Sequence, residues 1–160
     1  MKPIKTGLVF SLLPIIFFFW TSPVHAQEKD KTTLQHMVQS KHFVFKAQTM
    51  IPQGGATKQL NGEYDVRVSG DSLITYLPYV GRAYGPVLPG EGGINFTSTK
   101  YEYKAKPTKK GGWDIVLKPQ DAKEVRELQF TVYDNGTAYL HVMNNNKQNI
   151  SFNGYVESKK

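Results

Sequence analysis

From His42 onward, the apolar positions of this chain fall on every second residue. Phe43, Phe45 and Ala47 alternate with polar neighbours, and so do Tyr64, Val66 and Val68. The same rhythm returns in Tyr101, Tyr103 and Ala105, then Trp113, Ile115 and Leu117, then Leu128, Phe130 and Val132. It closes with Ala138, Leu140 and Val142, then Ile150 and Phe152. A period of two sends successive side chains to opposite faces of a strand, one toward a core and one toward water. Turn formers separate the runs: Ser69-Gly70-Asp71-Ser72, Lys109-Lys110-Gly111-Gly112, Asp134-Asn135-Gly136 and Asn144-Asn145-Asn146-Lys147. The Asn-Gly pair predicts a type I′ hairpin turn, which needs two left-handed residues. Short strands at this spacing predict an all-β fold, a small antiparallel up-and-down β-barrel of eight or nine strands, with a β-sandwich as the alternative. Closure into a barrel removes the unpaired edges that an open sheet must protect.

Before His42 the period changes. Leu34, Met37 and Val38 stand at i, i+3 and i+4, which predicts one short N-terminal helix within residues 27–41, capped by Thr32 or Thr33 and covering one end of the domain. Ahead of it, Lys2 and Lys5 precede an apolar run from Gly7 to Trp20, and Val24-His25-Ala26 offers small residues at the −3 and −1 positions of a cleavage site. That is the pattern of a secretory signal peptide over residues 1–26. The run is shorter than the ~20 residues a spanning helix needs, and no later stretch is apolar enough to enter a bilayer. The expected organisation is therefore a signal peptide, a helix at 27–41 and one barrel domain at 42–160, exported to the periplasm or the outside.

Composition narrows this further. The chain has no cysteine, so it has no disulfide framework, no zinc–thiolate site and no lipid-attachment cysteine after the signal; it is not a lipoprotein. Removing Lys2 and Lys5 takes the formal net charge from +7 to +5, which in an exported protein favours solubility or weak attraction to anionic envelope polymers.

Motifs for chemistry are scarce. The sequence holds no G-x-S-x-G elbow, no H-E-x-x-H pair and no G-x-x-x-x-G-K-[ST] loop. His36, His42 and His141 lack metal-ligand spacing, and the carboxylates form no distinctive pair. Lys100, Lys104, Lys106, Lys109 and Lys110 interleave with Tyr101, Tyr103 and Trp113, but the period of two sends the aromatics inward and the lysines to water, which is a solvated hairpin rather than a nucleic-acid surface. No catalytic residue, metal, cofactor or nucleic-acid partner is expected.

One stretch stands apart: YLPYVGRAYGPVLPGEGGINF, Tyr76 to Phe96. Pro78 cannot donate to a central ladder, so the strand before it should end there. Glycines loosen the following loop and Pro86 and Pro89 stiffen it. In a binding reading, Tyr76, Tyr79 and Tyr84 line or lid the barrel mouth, Arg82 holds an anionic group through its forked donors, and Glu91 orients Arg82. In the plainer reading, the tyrosines plug the barrel end and Arg82 pairs with Glu91 or a carbonyl.

Several segments together carry a resemblance: SGDSLITYLPYVGRAYG, GEGGINF, KKGGWDI and FTVYDNGTAYLHVMNNNKQNISFNGYV. From about His42 to Val156 the chain resembles an exported bacterial family known as a domain of unknown function, number forty-two fifty-one of that series. The resemblance implies a lipocalin-like antiparallel barrel, a signal peptide and an envelope or extracellular location. It implies no activity.

Two functions follow as expectations, neither enzymatic. The protein binds a small apolar or amphipathic ligand, or it is a structural or protein-interaction module of the cell envelope. The volume of the barrel interior separates them: a cavity of ~300 Å³ or more suits a ligand, and a packed interior suits a protein partner.

Overall fold

The computed structural model describes residues 25–84 and 92–158, with side chains from residue 31. Residues 1–24 of the expected signal segment 1–26, and Glu91 of the proline–glycine loop, lie outside the described residues, and residues 25 and 26 form the start of the helix. Within them, helix α1 (His25–Ser40) is followed by β1 (His42–Pro52), β2 (Lys58–Gln59), β3 (Asp65–Ser69), β4 (Ser72–Pro78), β5 (Gly93–Ser98), β6 (Tyr101–Pro107), β7 (Trp113–Pro119), β8 (Val125–Val132), β9 (Thr137–Asn144) and β10 (Ile150–Glu157). The sheet order is β5-β4-β3-β1-β10-β9-β8-β7-β6, with the two-residue β2 attached to β1. This is an all-β, antiparallel, nearly closed barrel of nine strands with one short helix, not a sandwich.

The helix begins before Thr32 and Thr33, so neither is its cap. Its far end matches the pattern. Leu34, Met37 and Val38 are buried and plug one end of the barrel. Lys41, at φ 57°, turns the chain out of the helix and donates its N–H to the Val38 carbonyl at 3.3 Å. The same carbonyl also accepts the Tyr103 hydroxyl at 2.7 Å, so a core-facing tyrosine adds a second, shorter hydrogen bond to a helix-end acceptor.

The alternation of the sequence reappears as burial. Phe43, Phe45, Val66, Val68, Ile115, Leu117, Phe130, Leu140 and Phe152 share one core, and Tyr101, Tyr103 and Trp113 pack half-buried against it. Phe130 on β8 lies three strands from β1, about 14 Å along the sheet. Its ring nevertheless meets Phe45 at 5.5 Å and Phe43 at 6.1 Å, both edge-on. Those contacts cross the barrel, so at this level the interior is filled by side chains.

Closure departs from the expected ladder. Each neighbouring pair from β5 round to β6 is antiparallel, and an even number of steps makes the two edge strands run in the same sense. Strands of the same sense pair only through a long crossover. Here Thr99-Lys100 alone joins them, so the chain bends and passes from one edge to the other without a ladder. Side chains bridge the seam instead. The Asp121 carboxylate accepts the Ser98 hydroxyl and, at 3.0 Å, the Thr99 N–H. The Tyr101 hydroxyl donates to the Gly70 carbonyl in the β3–β4 turn at 2.7 Å.

The β8–β9 hairpin corrects another expectation. Among the described residues only Lys41 combines a side chain with positive φ, so Asn135 is not left-handed and the turn is not type I′. Gly136, at φ 81°, is the one left-handed residue of a three-residue loop closed by Gly136 N–H on Tyr133 O at 2.9 Å and Tyr133 N–H on Thr137 O at 2.8 Å. The Asn135 side chain accepts the Thr137 N–H at 3.0 Å, which holds this alternative turn.

Asp65 occupies a water-facing position of β3 yet is only 1% exposed. Lys46 donates to it at 2.8 Å and Arg67 forks onto it at 2.9 to 3.2 Å, and the two long side chains cover it. Burial pushes its carboxyl up, but the hydrogen bonds and charges of Lys46 and Arg67 outweigh burial and hold it below the ordinary value of 3.8. A carboxyl lowered in the folded state contributes stability that is full above the unfolded value and lost as pH falls through the folded one. Urea unfolding at pH 7 and pH 3 should therefore show Asp65→Asn less stable than the parent at pH 7, by about 1–3 kcal/mol, with the gap narrowing at pH 3. An unchanged gap would mean that Asp65 contributes through packing alone.

Candidate functional site

The barrel end opposite α1 is built by the chain leaving β4, the start of β5, the β7–β8 loop and the β9–β10 loop. β4 ends at Pro78, where the missing N–H stops the ladder. Residues 79–84 then lie along the β9–β10 loop rather than over open space. Ala83 bridges Lys147 in antiparallel fashion. Tyr84 N–H donates to Asn146 O at 2.8 Å, Gln148 N–H to Arg82 O at 3.0 Å, and Arg82 N–H to the Gln148 side-chain oxygen at 3.0 Å.

This arrangement splits the predicted site. Tyr79 faces inward: it packs half-buried against the core, with its hydroxyl 3.2 Å from the carbonyls of both Arg82 and Gln148. Burial pushes its phenol above the ordinary value of 10, so it stays a neutral donor. Tyr84 faces outward and is 71% exposed. Tyr76 also faces outward, at 49% exposure, from a water-facing position of β4. Arg82 is exposed, and its side chain makes no ion pair among the described residues. Its expected partner Glu91 lies outside them. Tyr79 is thus a plug, while Tyr76 and Tyr84 belong to the outer surface and are not neighbours on one strand.

Lys147 is the residue sequence reasoning passed over. It sits in a polar turn, yet its side chain is only 11% exposed. Its ammonium lies 4.8 Å from the centre of the Tyr79 ring, donates to Gly93 O at 3.0 Å, and pairs with Glu124 at 3.3 Å. One cation so joins four segments of the barrel end. The only available signal was a lysine in an asparagine-rich turn, and its partners are distant in sequence.

A cleft of about 230 Å³ opens beside Tyr76, lined by Tyr64, Pro78, Gly92, Gly93 and Asn95 among others. Tyr64 and Tyr76 stack at 5.4 Å with their planes 26° apart. Sequence alternation placed Tyr64 on the core face, and it is half-buried at the core's edge.

The remaining chemistry is sparse. Among the described residues, no group of three or more His, Asp or Glu side chains is placed to hold a metal, and no helix is long and apolar enough to cross a membrane. His141 accepts or donates through Nδ1 to Ser151 Oγ at 2.8 Å, and the Tyr139 hydroxyl donates to the same oxygen at 2.7 Å. This trio ties β9 to β10 on the outer face. Lys104 and Lys106 are exposed while Tyr101 and Tyr103 turn inward, as the alternation predicts.

No curated protein matches the chain. A crystal structure of a DUF4251 family protein from Bacteroides eggerthii DSM 20697 is similar in fold, with a TM-score of 0.61 at 16% sequence identity, covering 82% of this chain and 91% of that one. The model of the domain of unknown function DUF4251 matches residues 25–156, nearly all of the described barrel together with its helix, and the chain therefore belongs to the DUF4251 family.

Proposed function

We propose that this protein is an exported, non-enzymatic recognition module of the cell envelope, which meets its partner on the outside of the loop-bearing barrel end. The observation that carries this reading is the ring of Phe130 reaching Phe43 and Phe45 across the interior. At that level, space that a ligand-carrying barrel leaves open is occupied by side chains. At this barrel end, away from the cleft beside Tyr76, the exposed aromatic ring is that of Tyr84, on the outside. Aromatic residues are enriched at protein interfaces, because they bring a large, stiff contact area. Export rests on the Lys2-to-Ala26 pattern.

A photo-crosslinking residue at position 84 tests this in producing cells. A discrete adduct in the envelope fraction, on a chain whose N-terminus is Gln27, is the expected result. A chain that stays in the cytosol, or a position-84 probe that yields no adduct, would overturn the reading. Fatty acids, haem or bile acids that raise the melting temperature at ~1 mM would replace it with interior ligand binding.

A further inference from the structure

We propose that the cleft beside Tyr76 is a binding site for a neutral saccharide. This goes beyond the partner surface at Tyr84, which does not line the cleft.

The argument starts from the strand register. Tyr76 on β4 is the cross-strand partner of Asn95 on β5, so ring and amide project side by side from the same outer face. Tyr64 stacks behind Tyr76 and fixes its ring as a platform, which lowers the cost of ordering it on binding. With one face against Tyr64 and 49% of the residue exposed, Tyr76 keeps a broad ring surface in solvent. Gly93 sets the amide. A Cβ there would lie 2.8 Å from Asn95 Nδ2 and 3.1 Å from Oδ1, so the Asn95 side chain rests over the space a side chain at 93 would take.

Among the described residues, the Asn95 amide and the hydroxyls of Tyr64 and Tyr76 have no hydrogen-bond partner, while the Tyr79, Tyr101, Tyr103 and Tyr139 hydroxyls all do. An amide offers a donor and an acceptor in one plane, and each phenol offers both as well. None of the described lining residues is charged, which disfavours an ionic ligand, and the Asn95 amide and two phenol hydroxyls bring polar groups to the lining, which disfavours a lipid tail. A sugar ring meets both conditions: its C–H face lies on an aromatic ring, and its hydroxyls alternate donor and acceptor toward an amide. The volume, about 230 Å³, corresponds to roughly seven or eight waters, enough for one such ring.

Backbone-amide and aromatic-ring NMR during titration with maltotriose, cellotriose and chitotriose tests the assignment. Saturable shifts centred on Tyr64, Tyr76, Gly93 and Asn95 are expected with at least one of them, at a dissociation constant of ~1 mM. Tyr76→Ala and Asn95→Ala should each weaken binding about tenfold or more, and Tyr76→Phe, which keeps the ring, should stay within about threefold of the parent. Both alanine changes are at exposed positions, and an unchanged melting temperature separates lost contact from lost fold. No saturation by any of the three sugars up to ~20 mM, or shifts centred elsewhere, would overturn the proposal. So would a proline-rich peptide that saturates the same residues at lower concentration than any sugar, because it would assign the cleft to extended peptide. Crosslinking at position 84 reads a different surface, so either proposal can fail while the other stands.

Discussion

Phe130→Ala should cost about 3–5 kcal/mol and lower the melting temperature by about 10–20 °C. The ring is 1% exposed and lies between Phe43 and Phe45, with both contacts edge-on. Its removal loses the transfer energy of the ring, two aromatic contacts and the packing of the wall opposite. Because β1 and β8 are three strands apart, no ladder hydrogen bond compensates, and relaxation would have to bend the barrel inward. A stability of 5–15 kcal/mol is typical of a domain, so the variant should be folded but marginal. Chemical unfolding with intrinsic fluorescence measures it. A loss below ~1 kcal/mol would mean that the interior has slack, which would weaken the filled-barrel argument for surface recognition.

Gly154→Ala should be nearly as damaging, about 2–3 kcal/mol, although it adds only one methyl group. Gly154 on β10 faces Ala47 on β1, where the register slips between Ala47 and Thr49. A Cβ at 154 would collide with the carbonyl of Lys46 and come within 3.1 Å of the Phe45 ring. The first obstacle is backbone, which cannot turn aside as a side chain can. Relief requires separating the two strands, in a pair that also carries Phe45 and Phe152 to the core. The urea midpoint should fall with the slope little changed. A variant as stable as the parent would show that the β1–β10 spacing is adjustable.

The contrast between these two positions shows how legible the chain was. Phe130 could be assigned to the core from its neighbours Leu128 and Val132, because alternation is local and survives without knowledge of what lies opposite. Gly154 looked ordinary, since its constraint comes from a carbonyl more than a hundred residues earlier. The site divided in the same way. Composition drew attention to Tyr76, Tyr79 and Tyr84, but their spacing could not say that Tyr79 turns inward onto the Arg82 and Gln148 carbonyls while Tyr84 turns out. Asp65 read as a water-facing carboxylate, and only Lys46 and Arg67 folding over it make it buried. Asn135-Gly136 read as a type I′ pair, and the Asn135 side chain capturing the Thr137 N–H selected another turn.

Local pattern was enough for the strand content, the inward and outward faces, the strand end at Pro78 and helix α1, because each follows from a period or a backbone restriction within a few residues. Tertiary structure alone decided the ladderless seam between β5 and β6, the cation of Lys147 that joins the barrel end, and the placing of Tyr64, Tyr76 and Asn95 around one cleft. Those depend on which strands become neighbours and in what register. Pairing energy between strands is set by partners distant in the chain, and no local pattern encodes it.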